Sequence, residues 1–306
     1  MPMSSSETSA FDREYEALKA GRAVVEMAGW SSISVTGADR QAFLHNFCTN
    51  DVKRLVPGTS CETFFTNVKG KIVGHGVLNC RDDEVVFVGA PGQGLRLVEH
   101  LDRYVIREDV QLGNTTEARS YLLVAGGEPS GDSSRSMAWG IVGRADSKLF
   151  EFEAGEASES VRGLAADGFV VVGLQAFEAA RIEAGMPLYG VDFDEQNLPQ
   201  EVGRDQQAIS FTKGCYLGQE TVARIDALGH VNKRLVGVRF FGSEVPVGRA
   251  EIMLQGRNAG VVTSAVFSPK LGAPLALAML RREANSVRTR LSSAIGECEV
   301  IALPVA

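Results

Sequence analysis

One stretch of this chain concentrates groups able to do chemistry: Lys213, Gly214, Cys215, Tyr216, Leu217, Gly218, Gln219 and Glu220, continuing to Val222, Ala223 and Arg224. Glycines on both sides of the cysteine let the backbone turn tightly and leave the thiol exposed. Lys213 sets a positive charge close by, which favours thiolate over thiol. Gln219, Glu220 and Arg224 add hydrogen-bonding groups within about a helical turn. No histidine lies near in sequence to act as a base, which argues against a protease-like dyad. Taken alone, these residues favour an inert cysteine, a small apolar side chain in a loop.

The other candidate groups are scattered. The five cysteines, Cys48, Cys61, Cys80, Cys215 and Cys298, have no paired spacing. An odd number without a CxxC unit argues against a disulfide framework and against a zinc finger, and suits reduced thiols. His45, His100 and His230 lack metal-ligand spacing, so no metal site is expected. His75 lies in a strand segment, where a lone histidine is more often structural. The formal net charge is -7. An acidic surface repels phosphate backbones, which disfavours direct nucleic-acid binding. The first residues have neither a basic flank nor an apolar stretch, so residues 1–10 read as a solvated tail rather than a secretory signal. No apolar run approaches the ~18 residues that span a bilayer, and a cytoplasmic protein without a membrane partner is expected.

Elements must hold these groups in place. Phe11, Tyr15 and Leu18 at helical spacing, with Gly21 beyond, predict a helix over 11–20. A strand follows at 33–36, and Asp39 is placed to cap a second helix with Phe43, Leu44 and Phe47 on its apolar face. Residues 63–66, a turn at 67–70 and residues 71–73 predict a hairpin. A strand is expected at 84–88, and a helix over 92–106 with Leu95, Val98, Leu101 and Val105 on one side. The Gly- and Ser-rich stretch 126–136 reads as a loop. A helix over 174–184 ends at Gly185 and Pro187. After His230 the segments 235–240, 259–263 and 275–278 are short strands suited to a small β-barrel. Mixed strands and helices in this order imply an α+β fold.

The string KGCYLGQE resembles the KGCYxGQE signature of the YgfZ-type proteins, folate-binding relatives of the aminomethyltransferase T-protein of glycine cleavage. The likeness extends over most of the chain. Trp30 with Gly37, Ala38 and Asp39, and then Thr49, Asn50, Asp51 and Val52, is similar to the family's N-terminal block. Arg181, Glu183, Gly185 and Pro187 resemble its central RxExGxP block, and Pro199, Gln200 and Glu201 the motif ahead of the cysteine loop. Gly260 to Ser264, then Ser268, Pro269, Leu271 and Gly272, look like its C-terminal barrel.

The resemblance implies a T-protein-like architecture: two intertwined ferredoxin-like α+β subdomains forming a folate-binding region over 11–228, and a C-terminal β-barrel over 229–306. It implies tetrahydrofolate as cofactor, with Glu183 accepting from the paired donor edge of the pterin, a pairing one carboxylate can make. Trp30 and Phe177 are the implied stacking faces, Lys233 and Arg234 candidates for the anionic tail, and Arg224 completes the cofactor-binding set. Cys215, with Lys213 beside it, is implied as the residue of a redox, cluster-transfer or partner-contact step. The implied function is an accessory protein supporting iron–sulfur cluster assembly or repair in client proteins, including enzymes that modify tRNA. T-proteins carry an essential aspartate just after the hairpin turn; the matching position here is Gly74, which cannot carry a proton. That departure weighs against the rival reading, a folate-dependent aminomethyltransferase or demethylase. A third reading is a scaffold in which folate is only a structural ligand.

Overall fold

The computed structural model describes residues 5–129 and 135–306. The first half interleaves two sheets. Helix α1 (Ser5–Ala20) leads to β1 (Ala23–Glu26), and β2 (Ser31–Thr36), α2 (Arg40–His45), β3 (Ser60–Thr66), β4 (Ile72–Cys80), β5 (Glu84–Gly89), α3 (Gly94–Asp102) and β6 (Gln111–Asn114) follow. The chain then returns through β7 (Arg119–Ala125), β8 (Ser136–Ala138), β9 (Ser147–Glu153), α4 (Ala157–Ala166) and β10 (Val170–Val171). One five-stranded sheet runs β3-β4-β5-β2-β6 and the other β10-β1-β7-β9-β8, so β1 pairs with β7 and β10, strands that follow it in sequence only after the whole of the other sheet.

Helix α5 (Leu174–Glu183) opens the second half, followed by the short α6 (Pro199–Val202) and α7 (Asp205–Ala208), then α8 (Gln219–Leu228). Strands β11 (Lys233–Phe240), β12 (Glu251–Leu254), β13 (Arg257–Ser268), β14 (Ala273–Arg281), β15 (Arg290–Ser293) and β16 (Gly296–Ile301) close into a barrel in the order β11-β14-β13-β12-β15-β16.

Several expectations are corrected. Helix α1 starts at Ser5, ahead of the apolar stripe, so the tail expected over 1–10 is helical from Ser5 onward; once a turn is nucleated, adding polar residues costs little. Asp39 sits at the α2 N-cap without a side-chain cap bond, because its Oδ2 accepts instead from the Asp109 amide at 2.9 Å. Helix α3 is shorter than 92–106 and rotated in phase: Leu97 and Leu101 are buried and Leu95 is exposed. The loop expected at 126–136 lies partly outside the described residues, and β8 begins at its end. Strands β12, β15 and β16 have no apolar run to announce them; Gly296–Ile301, for instance, carries Glu297 and Glu299.

Helix α5 is buried nearly all round, between α1 and the barrel. A fully buried Arg181 in its last turn is tolerated because every side of the guanidinium is answered. It donates to Glu178, to Asp192 Oδ2 at 3.0 Å, to the Met186 carbonyl and to Ser264 Oγ on β13. This one side chain ties α5 to the barrel.

Candidate functional site

The cysteine loop docks on the β3–β4 hairpin. Gly218 precedes α8 with φ +84°, and a Cβ there would lie 2.4 Å from the Asn67 carbonyl oxygen, so no other residue fits. Cys215 is exposed, while Cys48, Cys80 and Cys298 are buried and Cys61 is half-buried. Burial pushes the Cys61 and Cys298 thiols up to about 12 and raises Cys48 and Cys80 too, which leaves them protonated and inert. Lys213 is not a free charge beside the thiol. Its side chain is buried, and Nζ donates to the carbonyls of His45 (2.5 Å), Cys48 (2.6 Å) and Asn50 (3.0 Å) and lies over the Tyr216 ring. Burial lowers its pKa, and its work is to clamp the loop to the segment after α2. Glu220 and Arg224 are exposed on α8.

Glu183 stands at the end of α5, 3% exposed. Its Oε2 accepts from the Tyr15 hydroxyl at 2.6 Å, and its Oε1 from Ser268 Oγ at 2.5 Å and the Lys270 amide at 3.2 Å. Carboxylate, α1 and barrel are thereby joined. Burial, together with Glu183, pushes the Tyr15 hydroxyl far above the usual tyrosine range, so it stays a donor. Trp30 and Phe177 lie in the same apolar cluster as Tyr15, each packed by protein. An apolar cleft of about 560 Å³ opens on this side, walled by Phe11 of α1, Leu174 of α5, and Val266, Phe267 and Pro269, the last two flanking Ser268.

A second polar centre escaped the sequence reading. Glu62 of β3 is buried and accepts from Arg204 Nε (2.9 Å) and NH2 (2.5 Å), from Trp139 Nε1 (3.2 Å), and bonds His75 Nε2 of β4 at 2.9 Å. Burial pushes the carboxyl up, but the bonds from Arg204 and His75 outweigh it and hold it at about 2. Glu62 is therefore ionised, and Nε2 of His75 carries the proton it donates. Trp139 also meets Trp30 edge-on at 5.5 Å, and His75 stacks on Phe64 at 4.7 Å. His75 shares the β3–β4 hairpin with Glu62, but Trp139 and Arg204 come from distant stretches, so no local spacing announced them; the one hint was Trp139 as the second of only two tryptophans.

Two family descriptions match this architecture. The GCVT N-terminal domain matches residues 3–156, and the glycine cleavage T-protein C-terminal barrel domain matches residues 233–305. The chain belongs to the glycine-cleavage T-protein family. An aminomethyltransferase of Nostoc is 25% identical, with 88% of this chain and 80% of that protein covered. An Arabidopsis thaliana protein named provisionally as a chloroplastic transferase is 24% identical over 91% of this chain and 70% of its own length. The structure of the glycine cleavage system aminomethyltransferase T from Bartonella henselae superposes with a TM-score of 0.82 at 18% identity, covering 95% of this chain and 89% of that one, a likeness of fold.

The hairpin position at which the resemblance implies a carboxylate holds a glycine. Gly74 pairs with Phe65, and a Cβ there would come 3.2 Å from Leu97 Cδ2 and 3.5 Å from Gln93 Oε1. That face of β4 is packed against α3, while the next residue, His75, points the opposite way toward Glu62. Lys233 lines another cleft, of about 570 Å³, with Arg249, Asn197, Phe193 and Thr263, and Arg234 lies 3.7 Å from Asp205. The Tyr189 hydroxyl, one residue from that lining, is buried without a partner among the described residues. No helix among the described residues is long and apolar enough to cross a membrane, and no group of three or more His, Cys, Asp or Glu among them is arranged to hold a metal ion.

Proposed function

We propose that this T-protein-family chain binds tetrahydrofolate and serves, in the manner of the YgfZ-type proteins it resembles, as an accessory factor for iron–sulfur cluster assembly or repair in client proteins, among them tRNA-modifying enzymes. The observation that carries this reading is the KGCYLGQE loop: of five free thiols, the single exposed one is Cys215, on a glycine-bracketed loop that Lys213 clamps in place.

The residues present fit a pterin. Glu183 supplies the carboxylate, and two of its three donors, the Tyr15 and Ser268 hydroxyls, can rotate away to admit the amino and ring N–H donors of the ligand. Phe11 and Phe267 of the cleft supply apolar faces, whereas Trp30 and Phe177 are covered by protein and would have to be uncovered to stack on a ring. Lys233 and Arg249, on the rim of the second cleft, have the charge that a folate's carboxylates require. Bound folate would supply a one-carbon carrier; the chain's own contribution is to hold the ring and keep water from it.

The names of the relatives favour aminomethyl transfer as a second reading. Gly74 weighs against it, because the position carries no carboxylate, and a Cβ there would press on the end of the Leu97 side chain. The test of the accessory reading is Cys215→Ala in a strain whose iron–sulfur-dependent tRNA methylthiolation requires this protein. The variant is expected to fold and bind tetrahydrofolate as the parent does, and to lose rescue. Full rescue would remove the cysteine from the mechanism and leave folate binding alone.

A further inference from the structure

The carboxylate assigned to a pterin is already occupied by the chain itself, and its two oxygens are held differently. Glu183 Oε1 belongs to the barrel: it accepts from Ser268 Oγ and the Lys270 amide, and Ser268 Oγ in turn accepts from the Leu271 amide at 3.1 Å. Oε2 has one partner among the described residues, the Tyr15 hydroxyl at 2.6 Å. That oxygen takes up the place an incoming N–H donor needs. Tyr15 is 4% exposed, so its hydroxyl cannot exchange Glu183 for water where it stands.

The surroundings let the ring leave while the helix stays. Glu14 Oε2, from the residue before Tyr15, accepts from the Gly173 amide at the start of α5 at 2.9 Å, and Arg144 donates to the Lys19 carbonyl. Helix α1 is thus fastened on both sides of Tyr15. The Tyr15 ring faces Phe11 one turn earlier, with centroids 6.2 Å apart, and Phe11 walls the apolar cleft of about 560 Å³. Phe267 and Pro269, on either side of Ser268, wall the same cleft. The cleft therefore borders the Tyr15–Glu183–Ser268 contact from α1 and from the barrel. A rotation of the Tyr15 side chain toward it frees Oε2 and lets the hydroxyl find water.

We propose that Tyr15 is a built-in competitor for the ligand: its hydroxyl closes the Glu183 site in the unliganded protein and swings into the Phe11–Phe267 cleft before a pterin's donors bond Oε2. The inference rests on the reading of Glu183 as the pterin anchor and adds a gate to it. Closed and open forms exchange, and a ligand that takes only the open form has its affinity reduced by the open fraction. A buried hydrogen bond to a charged acceptor holds the closed form, so that fraction is small. Removing the hydroxyl leaves Oε2 unsatisfied in the free protein, a cost that the ligand's own donors cancel on binding. Deleting this one oxygen therefore tightens binding while it destabilises the free protein. A tyrosine with a structural role alone would lower stability and leave affinity where it was.

Calorimetric titration of the full chain with tetrahydrofolate compares the parent, Tyr15→Phe, Glu183→Ala and the double variant. Phenylalanine keeps the ring and its packing on α1, and thermal unfolding checks that each variant folds. Tyr15→Phe is expected to lower Kd by roughly tenfold. It should also lower the Tm of the free protein and enlarge the rise in Tm that the ligand produces. In the Glu183→Ala background the same change should leave Kd within about twofold, because the contact is already gone. Unchanged or weaker binding by folded Tyr15→Phe overturns the gate. So does equal tightening in both backgrounds, the mark of a merely loosened helix. Weakened binding by Glu183→Ala beside an unmoved Kd in Tyr15→Phe keeps the anchor and removes the gate; a Glu183→Ala protein that binds as the parent does removes both.

Discussion

Glu183 and Glu62 are both buried carboxylates on this chain, and their surroundings assign them different work. Glu183 is held by two hydroxyls and an amide, neutral donors that a ligand can replace. Glu183→Ala is therefore expected to weaken tetrahydrofolate binding by about 1.5–3 kcal/mol, the worth of a charge-assisted two-point contact; isothermal titration checks it, and unchanged affinity in the folded variant would end this assignment. Glu62 is instead gripped by the Arg204 fork and His75. Its carboxyl lies at about 2 when folded, against an ordinary 4.5. Because the folded value is the lower, the stabilisation is present above about pH 5 and is lost as pH falls toward 2. The amount is of order 3 kcal/mol. Urea unfolding at a series of pH values should show that acid loss in the parent and a smaller one in Glu62→Gln. Equal acid sensitivity in the two proteins would mean that this carboxylate is not held ionised.

At the scale of elements, the cysteine loop, the β3–β4 hairpin and the end of α2 act as one piece. Gly218 is the contact on which this depends, since its positive φ and its approach to the Asn67 carbonyl exclude any Cβ. Gly218→Ala is expected to cost about 2 kcal/mol or more, from left-handed strain plus the clash, and to appear as a lower Tm. A Tm within a degree of the parent would show that loop and hairpin are not packed as described. The hairpin itself was legible in sequence, through its turn at Asn67 and Gly70 and the β-formers on either side. The role of Lys213 was not. A lysine two residues from a cysteine reads as an activating charge, yet carbonyls from a segment 165 residues away take the ammonium instead.

For the molecule as a whole, both T-protein domains are present, and the resemblance implies that Gly74 stands where a T-protein carries its acid–base carboxylate. Tetrahydrofolate-dependent ammonia release from an aminomethylated lipoyl carrier protein is therefore expected to be absent. Turnover on the order of 1 per second or faster would show that another group, His75 being the nearest on β4, does that work. The barrel, the mixed α+β layers and the family likeness were open to reading because they rest on local pattern: strand alternation, the RxExGxP block and the KGCYLGQE string are contiguous in the chain. It was the family resemblance, and not residue type alone, that singled out Cys215, Glu183 and the glycine at 74. Only the tertiary structure brought His45 to the cysteine loop, Arg204 and Trp139 to Glu62, and Tyr15 and Ser268 to Glu183. Each of those groupings joins side chains from different sheets, helices or the barrel, and a contact made across elements leaves no period or spacing in the sequence for a reader to find.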